Sequence, residues 1–163
     1  MKSCFFIGHR EADERLLPYL TDTVGRLIKD CGVTYFYVGG YGNFDRLSGE
    51  VVIALKDHFP AIRLYRVIPY HPAERPVQVP EGYDGTYYPP GMEFVPRRFA
   101  IPRANRRMID DCDYLIAFVW HPISNAREFL EYARRREKKG LIRVENLGEK
   151  KEILLQVSQS AVL

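Results

Sequence analysis

Two rhythms of apolar residues alternate along the chain. Continuous apolar runs recur: SCFFIG at residues 3–8, TYFYV at 34–38, AIRLYRVIP at 61–69 and DYLIAFVW at 113–120. Each has the length and the aromatic or β-branched content of a buried strand. Between the runs, apolar residues repeat every three or four positions. Leu16, Leu17, Leu20, Val24, Leu27 and Ile28 predict an amphipathic helix, with Pro18 in its first turn and Gly32 at its end. Leu47, Val51, Ala54, Leu55 and His58 predict the inner face of a second helix, starting near Arg46 and stopped by Pro60. A third is predicted from Pro102 to Asp111. A fourth runs from Asn125 to Lys139, closed by Gly140 and followed by LIRVE as a last strand.

Strand and helix alternate, so the pattern predicts an α/β fold with a doubly wound sheet. The alternation breaks once. Residues 70–101 carry Pro72, Pro76, Pro80, Pro89, Pro90 and Pro96 together with Tyr83, Tyr87 and Tyr88. This reads as a long Tyr/Pro-rich insertion. A loop of that length inside a compact domain is often functional; the other reading is a surface cover whose tyrosines shield the sheet edge. Residues 1–148 read as one domain. Residues 149–163 form a C-terminal extension whose apolar stretch, Ile153 to Val157, predicts an extra short helix or strand.

Composition narrows the class. The chain has 163 residues, 46% hydrophobic and 28% charged, which suits a globular domain with a real core. No run of about eighteen apolar residues exists to span a membrane. MKSCFFIGHR has too short an apolar run for a signal peptide, and Cys4, Cys31 and Cys112 lack metal-ligand spacing. The expectation is a cytoplasmic protein with reduced thiols. The net charge of +3 is unevenly spread: Arg97 to Arg107 holds five arginines and no acid, and Arg134 to Lys139 is interrupted only by Glu137. The second cluster reads equally well as a solvated helix face. The first adjoins a loop and is the better placed to meet an anion.

Candidate chemistry lies at strand ends. Gly8-His9-Arg10, Gly39 to Asp45, Tyr70-His71 and His121-Pro122 all follow predicted strands. In a doubly wound sheet such loops converge on one cleft. In YVGGYGNFDRLSGE, residues 37–50, a strand leads through Gly39, Gly40 and Gly42 into a helix, a fitting context for a phosphate. The spacing is neither G-x-G-x-x-G nor a Walker A loop. Glycines in a cramped turn explain it equally well. Asp45 either caps the helix or accepts a hydrogen bond from a ribose hydroxyl. Arg10 pairs with a phosphate or with Glu11, Asp13 or Glu14. His9, His71 and His121 show no close-spaced ligand pair, so neither a metal nor another cofactor is expected. No Ser-His-Asp arrangement or G-x-S-x-G is present.

CFFIGHR, YVGGYGNFD, NRRMIDDCDYLIAFVWHP and EYARRREKKG together resemble the SLOG superfamily, in its YpsA-like branch, over residues 3–144. The resemblance implies a single three-layer Rossmann-like domain with a mostly parallel central sheet. It implies a ligand site at Gly8, His9 and Arg10, at Gly39, Gly40, Gly42 and Asp45, and at Asn105 and Arg106, with Met108 beside them. Some relatives in the superfamily cleave the N-glycosidic bond of nucleoside monophosphates. Others, such as DprA, bind single-stranded DNA. Hydrolysing relatives carry a Pro-Gly-Gly-x-Gly-Thr loop with a glutamate beyond it, where this chain has HPISNAREFLE. His121, Ser124 and Asn125 remain as polar groups there, with Glu128 and Asp45 as candidate catalytic carboxylates and Glu50 as a third.

The expected function is binding of a nucleotide or nucleotide-derived small molecule, as in a sensor. The alternatives are hydrolysis or transfer of an N-glycosidic bond, single-stranded nucleic-acid binding through Arg97 to Arg107, and an interaction role with a silent cleft. The resemblance leaves a homo-oligomer open.

Overall fold

Six strands form one sheet in a computed structural model, in which residues 1–158 are described. The remainder of the expected C-terminal extension, 159–163, lies outside the described residues. The strands are β1 (Lys2–Gly8), β2 (Val33–Val38), β3 (Arg63–Val67), β4 (Gly85–Tyr87), β5 (Tyr114–Phe118) and β6 (Arg143–Asn146). Their order across the sheet is β4-β3-β2-β1-β5-β6, and every neighbouring pair is parallel. The helices are α1 (Leu17–Cys31), α2 (Asn43–Leu55), α3 (Ala100–Asp111), α4 (Asn125–Lys138) and α5 (Lys151–Ser158).

Alternate residues of each strand face opposite sides, which divides the core in two. Cys4 and Phe6 of β1, with Phe36 and Val38 of β2, pack against Leu20 and Val24 of α1 and Phe44, Leu47 and Val51 of α2. Ile153 of α5 joins this core. On the other face, Phe5 and Ile7 of β1 and Leu115 and Ala117 of β5 meet Met108 and Ile109 of α3 and Leu130 and Ala133 of α4. The central strands are covered on both sides, which is why they read as unbroken apolar runs. Each large side chain fully buried this way, such as Phe6 or Leu20, contributes about 1.5–3 kcal/mol. The result is the three-layer, Rossmann-like α/β arrangement, with a sheet that is wholly parallel.

The second helix departs from its expected bounds. It starts at Asn43, not Arg46, and ends at Leu55. Ala54 and His58 are exposed rather than on the inner face; Phe44 and Val52 are buried in their place. A residue three positions before the expected start is helical because Phe44 must reach the core beside Gly8. The insertion is not structureless. Residues 85–87 add β4 as the sheet edge beside β3, and short 3-10 turns at Met92–Phe94 and Arg97–Phe99 lead into α3. Among the described residues no helix is long and apolar enough to cross a membrane.

Connections leave β1 toward β2 on one side, while β5 adds on the other. The sheet therefore has a switch point between β1 and β5, where loops at the carboxyl ends diverge and leave a crevice.

Candidate functional site

A cleft of about 360 Å³ occupies that crevice. The loop after β1 supplies Gly8, His9 and Arg10 to its wall. The glycine turn between β2 and α2 supplies Gly39, Tyr41 and Asp45. Asn105 comes from α3, and Ser124, Asn125 and Glu128 come from the start of α4. The described structure thus brings nine of the expected site residues to one place: Gly8, His9, Arg10, Gly39, Asp45, Asn105, Ser124, Asn125 and Glu128.

Two buried polar side chains hold the walls. His9 Nε2 accepts hydrogen bonds from the backbone N–H of Trp120 (3.1 Å) and of His121 (3.2 Å). Only a neutral imidazole with its proton on Nδ1 can do this. Burial lowers the His9 pKa, reinforced by His121 and Arg127 and opposed by Glu11. His9 therefore braces the loop after β5 against the loop after β1. Asn146, at the end of β6, is the second support. Its Oδ1 accepts from Val119 N–H (2.9 Å) and Gly148 N–H (3.0 Å), and its Nδ2 donates to Val119 C=O (2.8 Å). The amide stands in for a strand partner just where β5 ends.

At α4 the Ser124 Oγ accepts from Arg127 N–H at 3.1 Å, and this N-cap starts the helix. Arg127 does not enter the cleft; its Nε donates to the His121 C=O at 3.1 Å. Asn125 and Ala126, which border the cleft, are the first residues of α4, at its positive end, where backbone N–H groups have no intrahelical partner.

The glycine turn is crowded by side chains rather than open to a ligand. Gly42 has φ +143°, and a Cβ there would lie 2.8 Å from Arg10 Cα. A Cβ on Gly40 would run into the Arg66 guanidinium, and one on Gly8 into the Phe44 ring. Asp45 does not cap α2, whose N-cap is Gly42. Its Oδ2 instead accepts from Tyr41 N–H at 2.9 Å, and Asn43 N–H donates to Arg10 C=O at 3.0 Å. Two donors that a phosphate would have used are engaged within the protein. Burial raises the Asp45 pKa, and the Tyr41 N–H, Arg66 and Arg10 pull it back only in part.

Arg106 lies away from the cleft, its guanidinium 4.8 Å from the centre of the Tyr132 ring. It sits one residue past Asn105, and on a helix adjacent residues point about 100° apart. Gly40 and Gly42 border the outer side of the turn instead of the switch-point cleft, and His121 is exposed beside it. Glu50 also lies outside the cleft, in an ion pair with Arg46 at 2.8 Å. Arg10 has none of its expected partners: Asp13 pairs with Arg15 (3.7 Å) and Glu14 with Arg46 (3.6 Å).

The basic run from Arg97 to Arg107 is largely tied down. Arg97 pairs with Glu74 at 3.7 Å and Arg107 with Asp111 at 2.9 Å, while Arg98 stacks on Phe99. The second cluster is similar, with Arg134 bonded to Glu137 and Glu149, and Arg136 to Asp110. All three cysteines are free, with Cys4 and Cys112 buried.

Sequence reasoning missed Asn146, Arg66 and Arg75. Nothing local marks Asn146, whose partner is 27 residues away. Arg66 did leave a signal, a charge near the end of a run otherwise read as buried strand. No family model matches the chain, and a search of curated proteins found no relative.

Proposed function

We propose that the chain binds a nucleotide or nucleotide-derived ligand in the switch-point cleft. The observation that carries this reading is the convergence there of the α4 N-terminus, Asn105 and Arg10, which has no ion pair among the described residues. The free N–H groups of α4 and Arg10 suit a phosphate. Asp45 and Asn105 suit hydroxyl and amide groups of a sugar or base. The cleft volume falls in the range of small-molecule sites.

Native mass spectrometry with a library of nucleoside mono- and diphosphates tests it. The expected result is a stoichiometric adduct that weakens on Arg10→Ala and on Asn105→Leu. Adducts that neither substitution changes would overturn the assignment.

A second reading, hydrolysis of an N-glycosidic bond, draws support from one observation: Asp45 and Glu128 border the same cleft. Asp45 has a raised pKa, as a proton donor needs, and Glu128 is exposed, as suits a group that activates water. Base release from nucleoside monophosphates, followed by chromatography, separates the two readings. Release that stops with Glu128→Gln would place hydrolysis above binding.

A further inference from the structure

On the outer side of the glycine turn lies a second cavity, of about 320 Å³, between the turn and the segment after β3. Its polar lining is Tyr41, Arg66, Tyr70 and Arg75, with the Gly40 backbone between them; the rest is aliphatic or proline, and no acid borders it. Among the described residues neither arginine has an ion pair, and the buried Arg66 Nε has no hydrogen-bond partner.

A buried guanidinium nitrogen without an acceptor is costly, because that N–H has lost water without a replacement, even though Tyr83 hydrogen-bonds elsewhere on the Arg66 side chain and Asp45 attracts it. Arg66 is held in place from two sides. Its guanidinium packs against Gly40, where a Cβ would have to displace it, and sits 5.6 Å from the centre of the Tyr83 ring. The Arg75 guanidinium sits over the Tyr70 ring, 4.2 Å from its centre. A stacked guanidinium keeps its N–H edges free and fixed in direction, the arrangement that recognises phosphate oxygens. Tyr41, partly exposed, adds an aromatic surface beside both arginines.

We infer that this cavity is a second site, for a phosphomonoester carried on a flat ring, with Arg66 and Arg75 holding the phosphate and Tyr41 and Tyr70 lining the ring. Two cations match the dianion of a monoester better than the single charge of a diester. The volume suits one phosphate and one ring, at the small end of ligand sites. The site does not depend on what fills the switch-point cleft, which borders Tyr41 from the other side.

The test is NMR titration of the full chain with phenyl phosphate, inorganic phosphate and a short oligothymidylate. Phenyl phosphate is expected to bind more tightly than inorganic phosphate and to shift the amides of Tyr41, Tyr70 and Arg75. Arg75→Ala should weaken it at least tenfold, Arg75→Lys less, and Arg10→Ala not at all. Tyr70→Leu should remove the preference for phenyl phosphate over inorganic phosphate. Arg75 is exposed and has no ion pair among the described residues, so its variants keep the fold. Unchanged affinity in Arg75→Ala, shifts confined to Gly8, Asn105 and Ser124, or loss of binding in Arg10→Ala would each overturn the site. Tighter binding of the oligothymidylate than of phenyl phosphate would overturn the monoester assignment.

Discussion

The switch-point cleft and the outer cavity share one glycine turn and differ in charge. The cleft has one arginine, Arg10, against Glu11, Asp45 and Glu128. The cavity has Arg66 and Arg75 and no acid. A turn that looks from its glycines like a phosphate cradle serves instead as a partition. Its glycines let Arg66 close on one side and Arg10 on the other, and its Tyr41 N–H is held by Asp45. Close backbone approach is thus used for side chains of the same protein. The lesson is that a glycine-rich turn after a strand signals crowding, and only the tertiary neighbours say whether the crowding comes from a ligand.

If the cleft wall depends on β6, Asn146→Ala has the largest effect. It leaves the Val119 N–H and C=O without partners inside the fold and is expected to cost about 2–4 kcal/mol. Urea unfolding measures this. Amide exchange should quicken near Val119 to Ser124 and stay unchanged near Arg66 and Arg75. Exchange that quickens equally in both regions would show that they are not separate.

Gly42→Ala strikes the partition itself. It needs an unfavourable positive φ and pushes on Arg10, so a loss of roughly 1–3 kcal/mol is expected. Ligand affinity should fall on both sides of the turn, in contrast to Arg10→Ala and Arg75→Ala, which should each affect one side. A Gly42→Ala protein as stable as the parent would mean the turn relaxes freely.

The pH dependence of the cleft is smaller. Native His9 has a lowered pKa, so the unfolded chain takes up its proton first as pH falls below about 6.5. In that window the unfolded state binds more protons, so stability rises with pH, is complete above it and declines below it. His9→Gln, whose amide oxygen can accept but not charge, should flatten this part of the profile. Denaturant unfolding between pH 7.5 and pH 5.5 (on the order of one unit either side of the ordinary value) reads the difference. An unflattened profile would remove His9 as the pH-sensitive brace.

Asp45→Asn should change least, within about 1 kcal/mol. The native Asp45 pKa is raised, so ionising the carboxyl above that pKa carries a penalty that disappears as pH falls. Asparagine keeps an oxygen for Tyr41 N–H and removes the charge. A small gain at neutral pH that shrinks toward acid is expected in thermal melts. A clear loss would show that the pull of Arg10 and Arg66 on Asp45 outweighs its burial, and the charge contrast between the two regions would weaken.

The sequence by itself determined the architecture, because burial on both faces of a parallel strand leaves an unbroken apolar run and helices keep their own period. SCFFIG and DYLIAFVW were legible as central strands, and strand–helix alternation placed the loops at Gly8 and Gly39 at one end of the sheet, while Asn105 was marked only by the family resemblance. β4 was not legible, since GTY is three residues among prolines and becomes a strand only by pairing with β3. Nor was the separation of Asn105 from Arg106, or of Gly39 from Gly40, because neighbours in sequence point to different sides of a helix or turn. The arginines show the limit most clearly. In sequence the dense run from Arg97 to Arg107 stood out, yet Arg97 and Arg107 are paired with Glu74 and Asp111. Isolated Arg66 and Arg75 remain without a contact ion pair among the described residues. Whether a charge is available depends on its partners, and those partners are chosen by packing across the sheet, which only the tertiary structure decides.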